Sequence, residues 1–369
     1  MKKRVLITVG GTGGHVYPAM ALAKQLQNSD IDVLFVGGGL ATNRYFESAS
    51  FQYRQVDCGN LRRNPIACLK GMQKIVQGLR QSSTIIKDYR PDVVVGFGSY
   101  YTLPTLLAAK LHKISIVLHE ANRIPGKVNR LLSKYVAVTG VHFPDTRSLL
   151  KGKTVEAKIP LREGYQLDHV STQEARQHYH LDSNLLTLLV FGGSQGAHAI
   201  NHLVVESLLA LPASLTSKLQ VLHITGDAAM TLQLRTKYAE HGIKAHVKDF
   251  ENQMNLAWQA ADLMVSRAGA GTVAEQLEYE VPGILIPYPH ATDNHQEKNA
   301  DFMVDDVGGA IKCLERTLLN NQLAQKLTAL LSNEQQQLNV MRLAMQTYKR
   351  TTPPCDFYSV ILKVMHKRL

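Results

Sequence analysis

Four times along this chain a short β-branched run ends in a glycine-rich turn, and that recurrence restricts the possible folds more than any other feature. The first turn, Gly10-Gly11-Thr12-Gly13-Gly14-His15, closes the apolar run Arg4–Val9 and opens a helical pattern beginning near Pro18. Gly96-Phe97-Gly98-Ser99-Tyr100 follows the run from Asp92, Gly192-Gly193-Ser194-Gln195-Gly196-Ala197 follows Leu185–Phe191, and Ala268-Gly269-Ala270-Gly271-Thr272 follows Asp262–Ser266. A strand feeding a glycine turn into a helix presents backbone N–H groups and the positive end of a helix dipole, and anions bind there. Ligands of open α/β sheets collect at the carboxyl ends of strands. Taken together, the four turns favour a phosphate-bearing ligand over a purely structural role.

The intervening pattern is that of parallel α/β sheets. Val5–Val9, Asp32–Val36, Asp92–Phe97, Ser115–His119 and Tyr135–Thr139 read as strands, separated by helical segments at Ala19–Gln27, Ile66–Lys87, Leu103–Leu111 and Lys127–Leu132. Apolar runs without alternation are expected of strands covered on both faces. A second series begins after the Val155–Tyr165 region, with strands at Leu185–Phe191, Leu219–Thr225, Ala245–Lys248, Asp262–Ser266 and Gly283–Pro287. A length of 369 residues agrees with two domains. We place them at 1–161 and 162–350, with a terminal amphipathic helix within 355–369.

The net charge of +11 points to an acidic partner: nucleic acid, an anionic membrane or a phosphorylated substrate. Cys58, Cys68, Cys313 and Cys355 lie far apart and form no CxxC pair, which argues against a zinc ribbon or a disulfide framework and fits a reducing cytoplasm. The apolar run behind Lys2-Lys3-Arg4 is too short for a signal-peptide core, and no run approaches the ~20 residues of a membrane span. Membrane contact is therefore expected to be peripheral. In the stretch 62–80, Ile66, Leu69, Met72, Ile75, Val76 and Leu79 recur at helical spacing among Arg62, Arg63, Lys70, Lys74 and Arg80. Such a stripe either faces the core or rests on anionic lipid. Nucleic acid is not expected, because the basic stretch from Arg62 to Arg90 has Tyr89 as its one aromatic residue.

Several polar groups fall at the turn-bearing rim. His119-Glu120-Ala121-Asn122 closes a strand of the first domain, and Pro287–Gln296 closes one of the second. Gly269, Gly271 and Ala274 match G-x-G-x-x-A, but the match comes late in its domain, which weakens a nicotinamide reading. Asp30-Ile31-Asp32 has DxD form yet lies at the opposite end of the sheet, and no His/Cys cluster has metal-ligand spacing. No metal site is expected in the protein.

The segments Gly10–Pro18, His119–Ser133, Gly192–Asn201, Ser266–Glu275 and Pro287–Ala300, in this order, resemble the MurG family of glycosyltransferases over nearly the whole chain. The resemblance implies a GT-B architecture, two Rossmann-like α/β domains facing across a cleft, with the terminal helix returning to the first. It implies inverting transfer of N-acetylglucosamine from UDP-N-acetylglucosamine to undecaprenyl-diphospho-muramoylpentapeptide, at the cytoplasmic face of the bacterial inner membrane. On this reading the polyprenyl-diphosphate acceptor and the anionic membrane surface are partners. Ser194 and the segment Ala270, Gly271, Thr272, Val273, Ala274 and Glu275 would lie near the diphosphate and ribose, Gln296 near the sugar and Glu251 near the uracil. Arg267 would add positive charge, and Thr12, Gly13, Gly14, Asn122 and Arg162 would complete the donor site. His15 is the candidate base that deprotonates the acceptor, with Glu120 as the alternate. No tightly bound cofactor is implied; a soluble Mg2+ on the diphosphate is compatible with the scheme.

The chain departs from the family pattern at Ser99, Leu103, Ala121, Lys158, Ile159 and Glu251. A divergent transferase with another lipid acceptor, and a UDP-N-acetylglucosamine epimerase of the same fold, are the alternatives. A non-catalytic nucleotide-binding protein fits less well with His15, Glu120 and Glu275 occurring together.

Overall fold

A computed structural model describes residues 2–59, 65–165, 167, 169–193, 196–318, 321–332 and 335–366. It divides into two compact units, Met1–Arg162 with Pro354–Leu369, and Glu163–Pro353. Each is built on a parallel sheet with helices on both faces.

The first unit contains β1 (Arg4–Thr8), β2 (Asp32–Gly37), β3 (Tyr53–Gln55), β4 (Val93–Gly96), β5 (Ser115–Glu120), β6 (Val138–Val141) and β7 (Thr154–Glu156), in the order β3-β2-β1-β4-β5-β6-β7. Val5 is in register with Val33 on one side and Val93 on the other. Val5 and Ile7 join a core with Leu22 and Leu26 of helix Gly13–Asn28, whereas Leu6 joins Leu34, Val94 and Leu106 on the opposite face. Burial on both faces is why these strands read as unbroken apolar runs. The order reverses between β1 and β4, so the switch point where such sheets bind ligands lies beside the Gly10–Gly14 turn.

The second unit contains β8 (Leu186–Phe191), β9 (Leu219–Ile224), β10 (Ala245–Lys248), β11 (Leu263–Ser266), β12 (Gly283–Leu285) and β13 (Ala310–Lys312), in the order β10-β9-β8-β11-β12-β13. Its switch point falls between β8 and β11, the two strands that lead into the second unit's glycine turns.

Several boundaries differ from the sequence pattern. The first helix begins at Gly13 rather than near Pro18, because Gly13 and Gly14 form its first turn and Pro18 is accommodated inside it. The strand expected at Tyr135–Thr139 runs instead from Val138 to Val141, and Tyr135, 46% exposed, ends a 3-10 turn with the Lys110 ammonium 3.3 Å from its ring centroid. The three-residue edge strands β3, β7 and β13 have no counterpart in the sequence pattern. The first two have no fully buried residue, hence no apolar signal.

The terminal helix spans Phe357–His366 and packs on the first unit through Phe357, Val360, Ile361 and Met365. Phe357 is fully buried against the rings of Phe97 and His119. A Cβ at Gly140 would lie 2.7 Å from that phenyl ring, so only glycine fits beneath it. At the far end of the sheet from the turns, Lys2 pairs with Asp30 and Asp32 at 2.9 and 3.1 Å, which accounts for the DxD segment as a surface ion pair.

Candidate active site

In the first unit the β1 turn is shaped by close backbone approach. A Cβ at Gly10 would lie 2.6 Å from Tyr101 Cβ, and Gly11 has φ +90°. Thr12 then caps helix Gly13–Asn28 in extended conformation without a side-chain bond to the helix. Its hydroxyl instead lies 3.5 Å from His15 Nδ1. The first helical turn holds no acidic residue, so its dipole end is uncompensated by a carboxylate of its own. The imidazole edge also packs near Gly98 of the β4 turn: a Cβ there would lie 3.7 Å from His15 Nε2 and 3.4 Å from Asn129 Nδ2. Three segments distant in sequence thus meet at Gly98.

Glu120, at the end of β5, is 3% exposed and its two oxygens are already engaged. Oε1 accepts the Asn122 N–H at 2.9 Å, while Oε2 accepts the Gly126 N–H and the Asn129 amide, each at 2.9 Å. Burial raises its pKa, and these donors act in the opposite direction. The arrangement anchors the 121–126 loop and engages both oxygens through which Glu120 would accept a proton. Asn122 belongs to the same loop, and its carbonyl accepts a bond from Thr146 at 3.3 Å. The Arg162 guanidinium stacks 4.8 Å from the Tyr17 ring, bringing a cation to the opening helix despite the unusual Lys158-Ile159-Pro160 approach.

Beneath this surface lie two buried histidines, whose burial the sequence pattern does not show. His119 packs against Phe97 and Phe357, and its pKa is pushed down to about 3 by burial, with His142 and His15 adding repulsion. Burial likewise lowers His142 to about 4, with Lys158 contributing.

In the second unit, helix Ala270–Tyr279 follows β11 through Gly269, again with no side-chain cap and no acidic residue in its first turn. Ala270, Gly271 and Thr272 form that turn, and Gly271 faces open space. Val273 and Ala274 are buried, and the Val273 N–H donates to Gly269 O at 3.0 Å within the helix. Glu275 lies in the second turn, half-buried, and its Oε2 accepts the Trp258 indole N–H at 2.7 Å.

Arg267 is 7% exposed and serves the fold around this helix. Its Nη1 donates to Ile286 O at 3.3 Å and Pro287 O at 3.2 Å, and pairs with Glu315 at 2.5 Å. The family resemblance implies a phosphate contact for Arg267; the geometry gives it the 286–296 loop to hold. Gln296 closes the same loop by accepting the Tyr288 N–H at 3.0 Å, and Asn299 ties it to Ala268 O at 3.1 Å. Glu251 is 6% exposed and bonds Lys248 at 2.7 Å and the Gln253 N–H at 2.7 Å. Burial alone would raise its pKa, but these donors and the Tyr179 hydroxyl outweigh it and hold the carboxylate below its ordinary range. Glu251 therefore shapes the loop beside the 45%-exposed Phe250. Ser194, Arg62 and Arg63 lie outside the described residues.

Comparisons with known proteins bear on the family and the fold. Residues 5–141 match the glycosyltransferase family 28 N-terminal domain and 187–351 the family 28 C-terminal domain. A protein of Protochlamydia amoebophila, named UDP-N-acetylglucosamine–N-acetylmuramyl-(pentapeptide) pyrophosphoryl-undecaprenol N-acetylglucosamine transferase, is 52% identical over 318 residues, 85% of this chain and 84% of its own. The protein of that name from Chlamydia pneumoniae is 36% identical, covering 95% of this chain and 97% of its own. The crystal structure of Acinetobacter baumannii MurG aligns with a TM-score of 0.77 at 28% identity, covering 99% of both chains. The chain belongs to the MurG family of glycosyltransferases.

Proposed function

We propose that this protein transfers N-acetylglucosamine from UDP-N-acetylglucosamine to the muramyl-pentapeptide carried on pyrophosphoryl-undecaprenol, the lipid I to lipid II step of peptidoglycan synthesis. The observation that carries this reading is 52% identity, over most of the chain, to a transferase of that name. Nothing in the relatives' names favours the epimerase alternative.

Inversion at the sugar requires one displacement, with a base on the acceptor hydroxyl and stabilisation of departing UDP. His15 suits the role of base, being half-buried on the first turn of its helix, beside Thr12 and the β4 turn. Charge on UDP would be met in the second unit by the N–H groups of Ala270, Gly271 and Thr272 and their helix dipole, with Ser194 a further donor. Glu275 would bind the ribose diol, Gln296 the sugar, and the Phe250-Glu251 loop the uracil. Thr12, Gly13, Gly14, Asn122 and Arg162 supply the polar surface of the first unit. No tightly bound cofactor enters this scheme. Soluble Mg2+ would add to the charge compensation on the diphosphate, and turnover measured in EDTA against added Mg2+ tests that role.

A lipid-linked acceptor calls for a membrane surface. No helix among the described residues is long and apolar enough to cross a membrane. Helix Pro65–Tyr89 lies close against the 57–59 segment, where a Cβ on Gly59 would overlap the Gly71 backbone and one on Gly78 the Asp57 carbonyl, and it leaves Leu69, Met72 and Val76 exposed at 70%, 54% and 48%. Lys70, Lys74 and Arg80 flank them, and Leu131 and Tyr135 with Lys110 and Lys134 add a second apolar and basic group. This supports peripheral binding to anionic lipid on the cytoplasmic side.

The deciding experiment is donor turnover with and without a polyprenyl-diphospho-muramoylpentapeptide. UDP release that requires the acceptor supports the transferase; formation of an epimer from UDP-N-acetylglucosamine alone would sink it.

A further inference from the structure

We propose that Trp258 is a positioning residue that fixes the Glu275 carboxylate for nucleotide recognition, an inference resting on the reading of Glu275 as the ribose-binding acid. The chain contains one tryptophan. It lies on helix Met254–Ala260, directly after the Phe250–Gln253 loop, and is completely buried. A buried indole N–H must find an acceptor, and most find a backbone carbonyl or a neutral side chain. Here Nε1 donates to Glu275 Oε2 at 2.7 Å, a charge-assisted bond from a rigid donor to a half-buried carboxylate.

The ring itself is immobilised. Phe191, at the end of β8, meets it edge-on with centroids 5.4 Å apart, and Tyr279 lies parallel to it at 6.4 Å. Tyr279 is in turn held by its hydroxyl, which donates to Gly164 O at 3.3 Å. With Oε2 fixed by this frame, the direction of Oε1 is fixed as well, and the carboxylate meets a diol without first losing rotamer freedom. The same side chain joins two parts of the nucleotide site: Trp258 rides on the helix that starts at the 250–253 loop, and Glu275 on the helix whose first turn faces phosphate. Sequence spacing gives no hint of this, since the two residues are 17 apart on different helices.

The test compares calorimetric binding of UDP with that of 2′,3′-dideoxy-UDP, which lacks the diol, in wild type, Trp258→Phe and Glu275→Ala. Phenylalanine keeps an aromatic ring in the site and removes the donor. Glu275→Ala is expected to abolish the preference for UDP. Trp258→Phe should weaken UDP about tenfold, the scale of a lost hydrogen bond to a charged group, and leave dideoxy-UDP unchanged. If Glu275→Ala keeps the preference, the ribose reading fails and the proposal with it. If Glu275→Ala abolishes it but Trp258→Phe does not reduce it, the ribose reading stands and the proposal is overturned. Equal weakening of both ligands by Trp258→Phe assigns the indole a packing role only and also overturns it. Should Trp258→Phe fail to fold, the wild-type protein decides the matter, because its sole indole ¹⁵N–H resonance needs no assignment. Under the proposal it moves on adding UDP and moves less with dideoxy-UDP; equal shifts with the two ligands, or none, refute it.

Discussion

Arg267 and Glu315 form an ion pair 2.5 Å apart, one partner 8% and the other 29% exposed at the side chain, at the base of the loop that carries Gln296. Because Arg267 also donates to the carbonyls of Ile286 and Pro287, Glu315 neutralises a guanidinium committed to loop geometry. Glu315→Ala leaves that cation buried without its partner, which costs about 3 kcal/mol. Urea unfolding is expected to show that loss, and the KM for UDP-N-acetylglucosamine should rise several-fold as the loop loosens. An unaltered KM would detach the pair from donor binding.

The proposed base is His15, and the alternate, Glu120, is occupied by three donors. His15→Ala should lower kcat by about 10²–10⁴, the range for loss of a general base, with UDP affinity unchanged by calorimetry. Wild-type turnover in that variant would remove His15 from the chemistry.

Ser99 has φ +70° and ψ 153°, a region that suits glycine and strains any residue with a Cβ. Ser99→Gly relieves this strain at the cost of a more flexible unfolded chain. The net gain is expected to be about 1 kcal/mol, a rise of roughly 2–4 °C in the melting temperature of the first unit. A fall in melting temperature would mean that the serine hydroxyl contributes more than the backbone strain removes.

His119 and His142 remain neutral in the folded first unit, with pKa values of about 3 and about 4, while in the unfolded chain they titrate near their ordinary value of 6.5. Their folded values are depressed, so the unfolded state gains protons first as the pH falls. Stability is full above about pH 6.5 and declines toward pH 4 by roughly 1.4 kcal/mol per pH unit for each histidine. Chemical unfolding between pH 7 and pH 4.5 should show this slope, and His142→Gln should make it shallower by one histidine's share. An unchanged slope would mean that other groups control acid unfolding.

The exposed side of helix Pro65–Tyr89 makes a separate prediction. Binding to vesicles containing anionic lipid should weaken as salt rises, and Met72→Asp or Val76→Asp should reduce it further with little effect on folding, because both residues are about half exposed. Equal binding to neutral and anionic vesicles would contradict the role of the basic flank.

The repetitive part of the structure is legible along the chain: buried β-branched strands, the glycine turns that must approach neighbouring backbone, and the helices between them. These follow from local backbone chemistry and burial on two faces, which leave a mark at short spacing, as do the family motifs. The short edge strands leave no such mark, because two of them bury no residue fully. Which partner each functional side chain meets is settled only in the folded molecule. Glu120 meets loop amides and Asn129, Arg267 meets Glu315, and Glu275 meets the Trp258 indole. Packing of the terminal helix is equally hidden, since Phe357 fits only where Gly140, over two hundred residues earlier, leaves room. Such pairings are set by distances across the folded chain, and no spacing rule along it encodes them. The opening turn keeps its place at the switch point, and the fold adds the approach of Thr12 and Gly98 to His15.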